Sequence, residues 1–215
     1  MDFDACRSLT AAFFDQAAAR GKAPFVWHKE AGRYRAQSWS EIAGQVKALS
    51  RALRDLGLQP GDRVVLVSEN RPEWLVADLA IIAAGAITVP AYTTALTSDH
   101  RHVLTDSGAV GAIVSTQALA ERLLPAVLDA PARRWVVTLE EPRRAQAGSV
   151  PLHRWEALLE AGRALPDDVE EVAARAQRGD TACIIYTSGT GGVPRGVMLS
   201  HGAILCNCMG AYKML

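Results

Sequence analysis

The chain has no surplus of charge of either sign: 23 Lys and Arg balance 23 Asp and Glu. That excludes a general attraction to nucleic acid or to an anionic surface, so any polyanion must be gripped locally, by one loop. Cysteine is scarce. Cys6, Cys183, Cys206 and Cys208 match no common zinc or redox spacing, and buried free thiols are expected. Long apolar runs are also missing. The longest, Leu79–Val89, is closed by Pro90 and falls short of the roughly 20 residues a membrane-spanning helix needs. It reads as a buried helix running into a buried strand. The start, MDFDACRSLT, is acidic and lacks a basic region followed by an apolar core, so no secretory leader is expected.

What is present is ordinary globular composition, with 49% hydrophobic and 21% charged residues. Helix and strand patterns alternate along it. Ser38-Trp39-Ser40-Glu41 has the form of a capping box. Ile42, Val46, Leu49, Leu53 and Leu56 follow at helical spacing, with Gly57 suited to the C′ position. Arg63–Ser68 predicts a buried strand. Asn70 is expected to cap a second helix with Pro72 in its first turn, Gly85 ends it, and Ala86–Val89 predicts another strand. A helix at Ser98–Asp106, a strand at Val110–Val114, a helix at Gln117–Leu128 and a strand at Trp135–Leu139 continue the alternation. Pro142–Val150 reads as a surface loop, Leu152–Ala161 as a helix, and Pro166–Gly179 as a charged connector or helix. Thr181–Tyr186 and Arg195–Leu199 predict strands, and Ser200 caps a final helix. The fold class is therefore α/β, with mostly parallel strands and crossover helices.

The segment with chemistry in it is Ile185-Tyr186-Thr187-Ser188-Gly189-Thr190-Gly191-Gly192-Val193-Pro194-Arg195-Gly196. An apolar strand delivers hydroxyls and glycines in alternation, and then a cation. Glycines let backbone N–H groups converge on an anion. The hydroxyls of Thr187, Ser188 and Thr190 can donate to phosphate oxygens, and Arg195 adds a charged fork. The spacing is not that of a Walker A loop, so a P-loop NTPase is excluded. On composition alone, a plain glycine-rich turn between strands is an equal alternative.

The order of residues favours the phosphate reading. YTSGTGGVPRGVMLSH closely resembles the phosphate loop of adenylate-forming enzymes, whose usual form is YTSGTTGxPKGVxxxH. Gly191 stands where threonine is usual, and Arg195 where lysine is usual. Tyr34–Thr116 also resembles the family, through Leu56-Gly57-Leu58, Pro60-Gly61-Asp62-Arg63-Val64, Asn70-Arg71-Pro72-Glu73-Trp74, Gly85–Pro90 and Asp106-Ser107-Gly108-Ala109. These are scaffold positions. GVMLSHGAIL is most similar to long-chain acyl-CoA synthetases.

The resemblance implies a ligase that activates a carboxylic acid, fatty in the long-chain case, with ATP and Mg²⁺ and passes the acyl group to CoA. Peptide-synthetase-like or luciferase-like adenylation, and a non-catalytic nucleotide-binding remnant, stand as alternatives. Thr187, Ser188, Gly189, Thr190, Gly191, Gly192 and Arg195 would hold the ATP phosphates. No catalytic residue and no metal ligand is expected within the chain. The later Tyr-Gly-x-Thr-Glu and Thr-Gly-Asp motifs and the C-terminal catalytic lysine do not occur. The chain is thus expected to be an incomplete N-terminal portion of the large domain, with one α/β part at about residues 34–92, a second at about 93–215, and no C-terminal domain. A cytoplasmic location is expected, with no nucleic-acid partner, and peripheral membrane contact is left open. Exposed sheet edges and apolar faces are expected where partner strands are missing.

Other clusters read as structure. His100 and His102 are expected on a solvated helix face, and His201 at a surface helix start. Asp167, Asp168, Glu170 and Glu171 are expected at a solvated helix N-terminus. Trp74, Trp135 and Trp155 are expected in the core.

Overall fold

The computed structural model describes residues 6–141, 150–188 and 192–214. The expected loop at Pro142–Val150 lies outside them except for Val150. Among the described residues, seventeen elements follow one another. Helix α1 (Leu9–Arg20) leads into a hairpin, β1 (Pro24–Glu30) and β2 (Arg33–Ser38). Then come α2 (Trp39–Asp55), β3 (Arg63–Val67), α3 (Pro72–Ala83), β4 (Ile87–Pro90), α4 (Thr97–Ser107) and β5 (Gly111–Val114). The second half runs α5 (Gln117–Asp129), β6 (Trp135–Thr138), β7 (Leu152–Arg154), α6 (Trp155–Ala164), α7 (Val169–Ala173), β8 (Thr181–Thr187), β9 (Arg195–Ser200) and α8 (His201–Met214).

Seven strands form one sheet in the order β7-β6-β5-β3-β4-β8-β9. All pairs are parallel except β8 with β9, which is an antiparallel ribbon. The parallel pairs follow from the crossover helices between them. Strands from both sides of residue 92 lie in this sheet. Its two faces carry separate cores. One is built on α1, α2, α3, α6 and α7, with Phe13, Leu49, Ile81 and Trp155 among its members. The other lies under α4 and α5, with Val103, Leu104, Leu123 and Tyr186.

The expected capping box is formed. Glu41 Oε2 accepts from the Ser38 amide at 2.7 Å, and Ser38 Oγ accepts from the Glu41 amide at 3.3 Å. Other expectations need correction. Asn70 does not cap α3. The boundary residue is Arg71, in extended conformation with no side-chain cap, because the residue before a proline is pushed out of the helical region. Leu152–Ala161 is not one helix. Leu152–Arg154 adds a short parallel strand to β6, and α6 begins only at Trp155. The acidic residues after Pro166 do stand at a helix N-terminus, with Asp168 at the boundary of α7 and Glu170 and Glu171 in its first turn, and they are ion-paired there as well. Arg54 grips Asp168 with both fork nitrogens at 2.7 and 2.8 Å, and Lys47 reaches Glu170 at 2.5 Å and Asp167 at 3.3 Å.

Trp135 and Trp155 are buried and Trp74 packs against the first core. His100 is also fully buried, and burial holds its pKa down. The expected solvated face is wrong for it because α4 turns His100, Val103 and Leu104 inward together. Cys206 and Cys208 are exposed rather than buried, since α8 packs against little beyond its first turns. The edge strand β9 and the end of α8 expose Val197, Met198, Tyr212 and Met214.

Candidate phosphate-binding site

The site grows from the β8–β9 ribbon. β8 is apolar because it lies inside the sheet beside β4, and it carries the chain to the sheet's C-terminal edge. Thr187 and Arg195 are direct ladder partners, as are Tyr186 and Gly196. Cross-strand partners leave the same face, so Thr187 and Arg195 project together from the mouth of the ribbon. Both are exposed, as are Ser188 and Gly192. Among the described residues no salt bridge engages Arg195. Gly192 has φ of 90°, a left-handed conformation that a side chain would strain, and open space around it. Gly189, Thr190 and Gly191 lie outside the described residues.

One helix grips both shoulders of this bend. On the incoming side the Tyr186 hydroxyl donates to Asp106 Oδ2 at 2.6 Å. On the outgoing side His102 Nε2 donates to the Pro194 carbonyl oxygen at 2.7 Å. The rings of His102 and Tyr186 meet edge to face, with centroids 5.8 Å apart. Burial and the Asp106 carboxylate push the Tyr186 phenol well above its usual range, so it stays a donor. His102 and Asp106 are one helical turn apart on α4. His102 is expected on a solvated face and Asp106 among scaffold positions, and the fold brings both to the bend. Their i, i+4 spacing was the available clue.

His201 is not on the surface. It is buried, its Nδ1 accepts from the Leu9 amide at 3.2 Å, and burial lowers its pKa. It ties α8 to the start of α1 and does not reach the bend. Ser200 does cap the helix, with Oγ accepting from the Ala203 amide at 3.2 Å. Cys183 lies on β8 with its thiol pKa pushed up to about 11 by burial and by Asp78, which makes it a poor nucleophile. Among the described residues no group of three or more His, Cys, Asp or Glu could hold a metal ion. Among the described residues, two of the cavities lie away from the bend, and no described residue of the bend lines either of them. One, of about 590 Å³, sits between α2 and α7 around Arg51 and Arg54. The other, of about 690 Å³, is beneath the β1–β2 hairpin.

The sequence profile of the AMP-binding enzymes matches residues 13–214. This chain belongs to that family. It is 38% identical over 173 residues to the long-chain-fatty-acid–CoA ligase FadD15 of Mycobacterium tuberculosis, covering 80% of this chain and 28% of that protein. Against the long-chain-fatty-acid–CoA ligase ACSBG1 of Rattus norvegicus the identity is 30% over 159 residues, 74% of this chain and 22% of that one. The chain therefore spans about a quarter of the length of these relatives. Among solved structures it overlays the adenylation–carrier didomain of a Segniliparus rugosus carboxylic acid reductase in complex with AMP. That match has a TM-score of 0.78 and 18% identity, over 92% of this chain and 32% of that one. A long-chain-fatty-acid–CoA ligase from Archaeoglobus fulgidus matches with a TM-score of 0.75 and 21% identity, over 95% and 38%. These overlays establish the fold, which matches the N-terminal portion of adenylate-forming enzyme structures.

Proposed function

We propose that this AMP-binding family member supplies the phosphate-gripping portion of a ligase that activates a fatty acid with ATP and transfers it to CoA. The observation that carries the reading is the bend at Tyr186–Gly196, with Thr187 and Arg195 side by side at its mouth. Hydroxyls and backbone amides of Thr187, Ser188, Gly189, Thr190, Gly191 and Gly192 would surround the β- and γ-phosphates, and Arg195 would neutralise them. ATP, when bound with Mg²⁺, supplies the adenylyl group and the pyrophosphate leaving group. The chain's own part is orientation and charge balance: donors held in place before the reaction would need no reorganisation when charge builds on the leaving oxygens. Mg²⁺ would arrive on the nucleotide, and residues for adenine, ribose and most of the CoA and acyl sites would come from sequence beyond these residues.

Two features favour the fatty acyl-CoA ligase over other adenylating chemistry. The relatives at 30–38% identity are named long-chain-fatty-acid–CoA ligases, and residues 196–205 read GVMLSHGAIL.

The test is calorimetric titration with Mg·ATP, competed by inorganic tripolyphosphate. Arg195→Ala should weaken ATP roughly 10- to 100-fold, since a hydrogen bond to a charged group contributes about 1.5–3 kcal/mol. Gly191→Thr should tighten it by restoring a hydroxyl. Equal affinity in wild type and Arg195→Ala sinks the reading. Pyrophosphate release across a panel of carboxylic acids, measured on a version carrying the downstream motifs, tests the acid.

A further inference from the structure

Charge is not spread evenly over this neutral chain. Between residues 20 and 36 stand five cations, Arg20, Lys22, Lys29, Arg33 and Arg35, against the single carboxylate Glu30. All five are exposed. Arg35 pairs with Glu30 at 2.5 Å, which leaves Lys29 on the β1–β2 hairpin, Arg33 at its tip, and Arg20 and Lys22 at its foot; the two-residue turn, Ala31-Gly32, has φ of 47° and 82°. Positive φ at both positions is the type I′ turn, which matches strand twist and keeps a hairpin in register. The ladder pairs Lys29 with Tyr34 and Trp27 with Ala36. Residues two apart share a face, so Trp27, Lys29 and Tyr34 leave the hairpin together, while Arg33 and Arg35, paired with Glu30 and His28, leave by the other face, Arg33 beside the turn. Trp27 is 61% exposed and Tyr34 72% exposed. The opposite face places Val26 against the core.

We propose that this face of the hairpin docks on an anionic lipid bilayer. Trp and Tyr carry an apolar ring and a polar edge, and that pair of properties is satisfied at the headgroup level. The cations at the foot and tip of the hairpin would meet the phosphates around them. A second copy of the chain is a poor occupant, because the same cations would face each other across a two-fold axis. Single-stranded nucleic acid also pairs with cations and aromatics, but it needs a groove that tracks its backbone, and this face is a two-stranded ribbon. The proposal stands without the ligase reading. A ligase of long-chain acids would nonetheless meet its substrate at such a surface, since each buried CH₂ drives an acyl chain into the bilayer.

The test is co-sedimentation of the full chain with phosphatidylcholine vesicles, with and without phosphatidylserine, in the absence of nucleotide. The chain should pellet only with phosphatidylserine present, and less as salt rises. Each exposed cation near an anionic surface multiplies partitioning roughly fivefold, so Lys29→Ala with Arg33→Ala should reduce it more than tenfold. Trp27→Ala with Tyr34→Ala should weaken binding at every salt concentration. These side chains are exposed, so melting temperatures should not move. No pelleting of the wild type, equal pelleting of the variants, indifference to phosphatidylserine, or preference for a single-stranded oligonucleotide in competition would each overturn the proposal.

Discussion

His102 is the side chain whose loss should separate a shaped phosphate loop from a merely present one. It holds the outgoing shoulder through the Pro194 carbonyl, while Asp106 on the same helix holds the incoming shoulder through Tyr186. A bend fixed at both ends loses less entropy when its amides close on an anion. His102→Ala should therefore raise hydrogen exchange of the 187–196 amides in the ligand-free chain and leave exchange in β3 and β5 unchanged. One neutral hydrogen bond contributes about 0.5–1.5 kcal/mol, so ATP affinity should fall roughly three- to tenfold. His102→Gln, which keeps a donor of similar reach, should restore much of both. Unchanged exchange in His102→Ala would remove the positioning role and leave the phosphate reading intact.

At the level of elements, α2 and α6 pack backbone against backbone at a glycine. A Cβ added to Gly162 would lie 1.9 Å from the backbone oxygen of Ala48, a contact backbone cannot yield to without moving a helix. Gly162→Ala gains helix propensity, worth about 1 kcal/mol, yet should destabilise the fold by about 1–3 kcal/mol through overpacking. Urea unfolding measures this, and a stabilised variant would show that α6 shifts freely. Nothing in the sequence marks this glycine, because the contact joins residues far apart in the chain. Local signs served better elsewhere. Ser38 and Glu41 announce their capping box within four residues, and the apolar run at Thr181–Tyr186 announces the strand into the bend. The hairpin was not legible: Trp27, Lys29 and Tyr34 alternate about a face that stays exposed, so no apolar stripe marks it. Neither was the tether, since His102 looks solvated until β8 brings Tyr186 beneath it. Asn70 does not cap because, although its capping chemistry is correct, Pro72 at the first helical position puts the boundary one residue later, at Arg71.

Across the whole molecule, the loop-bearing ribbon is joined to the parallel sheet through β4, where Thr88 pairs with Cys183. Asp78 on α3 lies at this joint, close enough to Cys183 to raise its pKa. Burial raises the Asp78 pKa from 3.8 to about 6, against a smaller opposing effect from the Thr88 hydroxyl. The sign follows from linkage. The folded chain holds a proton here that the unfolded chain releases, so this group's stabilisation is fully present below about pH 4 and is lost as pH rises through about 6. The ion pairs of Asp168 and the capping bonds of Glu41, whose pKa values are lowered, act in the opposite direction at lower pH. The informative quantity is therefore the stability difference between wild type and Asp78→Asn. It should be nearly constant below pH 4, grow in favour of the variant between about pH 4 and 7, and level off at about 1–3 kcal/mol more than its acid value. Denaturant melts of both proteins across that range measure it. A difference that does not change with pH would mean that Asp78 ionises in contact with water, and that the joint between sheet and loop ribbon is more open than its packing indicates.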